Sequence, residues 1–74
     1  MTITRIFGLV VREERTERCI SQEELAERAE LHRNAIGLIE RGERTPSLES
    51  LFAIAKGLDL QASELLVRLE RRMK

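Results

Sequence analysis

The segment SQEELAERAELHRNAIGLIERGERTP, Ser21 to Pro46, holds two short amphipathic runs with almost nothing between them. Ser21 followed by Glu24 is a capping-box pattern, so a helix starts here. Leu25, Ala26 and Ala29 form its apolar stripe, and Glu23, Glu24 and Glu27 lie early, where the helix dipole favours negative charge. The period breaks at Glu30 and Leu31 without Gly or Pro, with Leu31 as an apolar plug in the turn. Ala35, Ile36 and Ile39 open a second stripe, which predicts a helix over about Arg33 to Arg41 capped by His32. Gly42 is its C-terminal stop, and Thr45-Pro46 confirms the break because proline disfavours helix in the residue before it. Helices this short need tertiary contacts to persist.

Working outward, Ile6, Phe7, Val10 and Val11 share one face of a helix predicted over roughly Thr4 to Arg18. Gly8 is costly inside that helix and marks close packing. Beyond Pro46, a fourth helix runs from near Ser47 to Lys56 or Leu58, with Leu48, Leu51, Ile54, Ala55 and Leu58 at helical spacing. A fifth, about Ala62 to Met73, carries Leu65, Leu66, Leu69 and Met73. The expected fold is all-α: a five-helix bundle forming one domain over residues 1–74.

Composition removes most other classes. The 74 residues carry 13 Lys+Arg and 13 Asp+Glu, and no apolar run approaches a membrane span or a signal peptide. One Cys makes no internal disulfide, and one His with one Cys makes none of the usual zinc sets. Phe7 and Phe52 are the only aromatics, too few to stack single-stranded bases. No nucleophile–base pair, metal cluster or phosphate loop is present, so neither enzyme chemistry nor a cofactor is expected. A cytoplasmic location is expected.

Two short helices joined by a tight turn are a helix-turn-helix arrangement. The segment resembles the Cro/repressor-type, or xenobiotic-response-element-type, helix-turn-helix family. Ser21-Gln22, Leu25-Ala26, Ala29, Leu31, Ile36, Ile39, Glu40-Arg41-Gly42 and Pro46 carry the likeness. Gly8, Val11 and Arg15 before it, and Leu48, Leu51 and Leu58 after it, extend the likeness to roughly Ile6 to Leu66. The resemblance implies a lambda-repressor-like domain that binds double-stranded DNA.

In such a motif the second helix braces the third, whose N-terminal part meets base edges in the major groove. The outward positions here are His32, Arg33, Asn34, Gly37, Leu38 and Arg41. Arg33 is the leading base reader, since a guanidinium fits guanine O6/N7; the alternative is a solvated side chain. Asn34 suits adenine or a phosphate, and His32 suits a cap or a DNA contact. Gly37 permits close approach or is a helix defect. Leu38 meets a thymine methyl or covers the helix edge. The resemblance implies backbone contacts from Gln22, otherwise only part of the helix cap, and from Arg44 and Thr45, with a base or the minor-groove side as the alternative for Arg44, and an internal salt bridge from Arg15 to Glu40. It also makes Cys19, where relatives often carry Gly, a small semi-buried residue.

Net charge zero is awkward for a DNA binder. Pairing Glu40 with Arg15 would leave the reading surface modestly basic, and the stretch Arg68 to Lys74 adds further basic residues. One short recognition helix contacts few bases, so a homodimer on a pseudo-palindrome is expected. Phe52, Leu60, Leu65, Leu66 and Leu69 are its candidate interface. In size the chain resembles restriction–modification controller proteins, and almost equally phage-type repressors and antitoxin-like regulators. A domain that kept the fold for protein interaction alone is the competing reading. An activator would also need an RNA polymerase contact, for which Glu27, Glu40 and Glu43 are candidates.

Overall fold

The computed structural model describes residues 2–74. Helices α1 (Ile3–Glu17), α2 (Gln22–Ala29), α3 (Arg33–Glu40), α4 (Leu48–Gly57) and α5 (Ala62–Met73) follow in order, with no strand among the described residues. Each helix start has its own chemistry. Ser21 Oγ accepts from the Glu24 N–H at 3.0 Å and Ser47 Oγ from the Ser50 N–H at 3.1 Å. The box expected at Ser21 closes on one side only, because the Glu24 carboxylate turns to Arg28 at 3.7 Å. A reciprocal box forms instead at α5, where the Gln61 N–H donates to Glu64 Oε1 at 2.9 Å.

The ends of α1 to α4 share one device. At α2 the Leu31 N–H reaches back to the Ala26 carbonyl at 2.8 Å and the Glu30 N–H to that of Glu27 at 3.2 Å. This paired pattern is a Schellman motif, which requires a left-handed residue between helix and exit. Glu30 takes that role at φ 57°, and Cys19, Gly42 and Asp59 do the same at 56°, 74° and 61°. The following apolar residues Ile20, Leu31 and Leu60 then fold back onto the core. The left-handed position turns its own side chain to solvent, so Cys19 is exposed rather than semi-buried as expected.

Helix α2 packs chiefly on α4, while α1 packs on α3 and α5. Val11, Leu25, Ile36, Ile39, Ile54, Leu58 and Leu65 form the fully buried centre. Gly8 lets α1 cross the end of α3: a Cβ there would overlap the Ile39 carbonyl oxygen and lie 2.7 Å from that of Glu40. Three residues expected on apolar stripes lie outside the core, one of them Leu66 on the open side of α5. Leu48 (73% exposed) opens α4 before that helix reaches its neighbours, and Met73 ends α5 beyond the packed turns. The fifth helix is stitched to the first by Arg68–Glu14 at 3.1 Å and Arg72–Glu13 at 2.8 Å, so two of the terminal cations are already paired.

Candidate nucleic-acid interface

Helices α2 and α3, joined by Glu30, Leu31 and His32, form the motif expected from the sequence. Helix α3 buries Ile36 and Ile39 and turns Arg33, Asn34 and Arg41 outward. His32 caps it, with Nδ1 accepting from the Asn34 N–H at 3.1 Å. A neutral ring therefore carries its proton on Nε2. Gln22, Arg33, Asn34, Gly37, Leu38 and Arg41 together line one notch of about 330 Å³ on this face. Gly37 is roofed rather than open: a Cβ there would lie 3.1 Å from Arg41 Nη1 and 3.7 Å from Gln22 Oε1. The long side chains of α2 and α3 thus occupy the space that a larger residue at 37 would claim.

Beneath the notch lies a buried polar chain. Arg15 Nε and Nη2 donate to the two Glu40 oxygens at 2.7 and 3.0 Å, and Arg15 Nη1 donates to the Ile20 carbonyl at 2.9 Å. Gln22 Nε2 donates to Glu40 Oε1 at 3.0 Å. Helices α1, α2 and α3 are therefore tied at one carboxylate whose side chain is only 3% exposed. The hydrogen bonds to Glu40 raise the Arg15 pKa, against the lowering effect of burial. A raised cationic group stabilises fully below its unfolded pKa and loses that contribution only above it. The Arg15 side of the bridge thus adds no pH dependence in the neutral range. Burial also removes Glu40 from the candidates for a polymerase-facing patch.

The reading face is less basic than the segment count suggests, because two of its arginines have carboxylates beside them, while among the described residues Arg5 and Arg44 keep unpaired positive charge there. Arg33 Nη1 donates to Glu23 Oε1 at 2.7 Å, and Arg41 Nε donates to Glu43 Oε2 at 2.8 Å. Both guanidinium groups stay solvated but each has a carboxylate beside it. Arg44 and Thr45 follow on the loop after α3, where Thr45 Oγ1 lies 2.9 Å from Thr4 Oγ1 of α1.

Residues 11–65 match the helix-turn-helix family. The chain belongs to that family. This helix-turn-helix protein is 43% identical over 68 residues to control protein C.SmaI of Serratia marcescens, spanning 92% of this chain and 81% of the relative. Control protein C.BamHI of Bacillus amyloliquefaciens is 43% identical over 65 residues, 86% of this chain and 80% of that one. Among solved structures, the restriction-modification controller protein C.AhdI from Aeromonas hydrophila superposes with a TM-score of 0.81 at 40% identity, covering 84% of this chain and 94% of that one. Wild-type controller protein C.Esp1396I gives a TM-score of 0.91 at 29% identity, covering 99% and 96%.

Two residues of this helix-turn-helix protein escaped the sequence reading. Glu23 looked like a dipole-favoured start of α2, and nothing in its neighbours signals its reach to Arg33. Arg5 is exposed on α1, and its side chain packs against Gly42 at the end of α3, since a Cβ on Gly42 would lie 2.7 Å from Arg5 Cγ. The candidate interface set divides. Phe52 (58% exposed) and half-buried Leu60 line an open groove between the end of α4 and the start of α5. Leu66 is exposed but lines a separate apolar groove with Ile3, Pro46 and Leu51. Leu65 is corrected, since it is wholly enclosed in the monomer core, while Leu69 is a core residue that also lines the floor of the groove beside Leu66. No helix among the described residues is long and apolar enough to cross a membrane.

Proposed function

We propose that this chain is a sequence-specific DNA-binding transcription regulator of the restriction–modification controller type, acting as a homodimer on a pseudo-palindromic operator. One observation carries the reading: Gln22, Arg33, Asn34, Leu38 and Arg41 meet on one outward notch of α3, above a braced apolar side. That is the surface a major groove requires, with an Arg at its start able to pair with guanine. Arg44, Thr45 and Arg5 flank it as backbone contacts. The α4–α5 groove with Phe52 and Leu60 is the proposed dimer face, with the two recognition helices about one DNA turn, ~34 Å, apart. A weak dimer makes operator occupancy steep in protein concentration, so dose sets the switch without a small-molecule effector.

The zero net charge and the paired arginines favour a second reading, a protein-interaction module without DNA binding. A gel shift with DNA upstream of the chain's own gene, run over a salt series, separates the two. A regulator gives a retained complex that weakens steeply with salt. No retained complex at low salt, or a monomer that stays monomeric on operator DNA, rejects the first reading.

A further inference from the structure

We infer that Glu23 is a specificity-determining residue that positions Arg33 and withholds it from the phosphate backbone; the inference rests on the DNA-binding reading above. Arg33 presents five N–H donors in a planar fork. Glu23 Oε1 engages Nη1 at 2.7 Å, and no other acceptor on the described residues bonds this guanidinium. The Nε–Nη2 edge is therefore free, and two parallel donors on one edge are what guanine O6/N7 accepts. Both side chains are mostly solvated, 61% and 70% exposed, so without this contact the arginine stem would sample many rotamers. Glu23 itself lies in the first turn of α2, where the helix dipole favours its charge.

The same pair is electrically neutral. Non-specific binding comes from cations that displace counterions at phosphates. A guanidinium with a carboxylate beside it brings no net positive charge to a phosphate, yet keeps its directed donors for a base. Arg41 with Glu43 repeats the arrangement at the far end of α3. Among the described residues around this face, the ion-pair-free cations are Arg5 and Arg44, which flank the notch rather than line it. The face therefore separates reading from holding: the leashed arginines read and the free ones hold.

Fluorescence anisotropy on a selected operator and on a scrambled duplex, over a salt series, tests this with Glu23→Gln, Glu23→Ala and Glu70→Gln. Glu70 is exposed on α5 and removes the same charge away from the notch. Glu23→Gln is expected to tighten scrambled-duplex binding by roughly two- to fivefold, the range of one exposed ion pair. Its log K against log salt slope for that duplex steepens by about 0.9, one extra phosphate. Glu23→Ala also loses guanine preference at one operator position, because the acceptor holding the fork is gone. Glu70→Gln does neither. An operator-to-scrambled ratio that Glu23→Gln leaves unchanged, or changes no more than Glu70→Gln, overturns the inference while wild-type selectivity stands. A wild-type chain that selects no DNA overturns the underlying reading as well, and is recognised before any variant is compared.

Discussion

Replacing Glu40 with Ala removes the carboxylate at which three helices meet. The Arg15 guanidinium, 15% exposed, then keeps only the Ile20 carbonyl, and the half-buried Gln22 amide loses its acceptor. Breaking one partner of a buried pair costs about 3–5 kcal/mol, and the residual exposure of Arg15 puts this case near ~3 kcal/mol. The 74-residue chain, at roughly 0.05–0.15 kcal/mol per residue, has about 4–11 kcal/mol of stability in all. At roughly 4–8 °C per kcal/mol for a domain of this size, Tm falls by about 12–24 °C. Far-UV circular dichroism melts measure it. Replacing Arg15 and Glu40 together by Met removes both charges and recovers most of the loss, because the desolvation cost of the pair disappears with it. A fall of less than about 4 °C for Glu40→Ala is what an exposed pair gives, and would refute the view that this carboxylate is buried and shared.

Gly8→Ala places a methyl against two carbonyl oxygens of α3, so a loss of about 2–3 kcal/mol is expected in urea unfolding. Glu30→Gly relieves a left-handed residue at some entropic cost, and the urea midpoint should rise by an equivalent of about 0.5–1 kcal/mol with unchanged slope. Phe52→Ser leaves the monomer fold intact but weakens self-association at least about tenfold by sedimentation, and operator affinity falls with it. A Phe52→Ser protein that dimerises like the wild type moves the interface elsewhere.

What the sequence made legible was local. Ser21, Ser47, His32 and Gly42 announced their helix ends because a cap needs a specific atom within a few residues. The glycine at position 8 was readable as close packing, but the carbonyls it admits belong to α3 and are visible only once the helices cross. Arg15 and Glu40 came as a pair only through the family resemblance, since their separation along the chain carries no period. Cys19, Glu30 and Asp59 gave no hint of left-handed backbone, because that role usually falls to Gly or Asn. Charge counting overstated the basic character of the reading face for a related reason. It sums charges along a segment, whereas Glu23 and Glu43 neutralise particular guanidiniums through space. Leu65 and Leu69 share the residue type of Leu66, and only their position on the docked side of α5 separates core from surface.

The empty Cα of residue 37 has a mechanical consequence. Its roof is made by flexible tips of Gln22 and Arg41, not by backbone, whereas Gly8 abuts main chain. A side chain added at 37 therefore presses on those tips rather than on main chain, and one large enough to move Gln22 also pulls on the Glu40 carboxylate that ties the three helices.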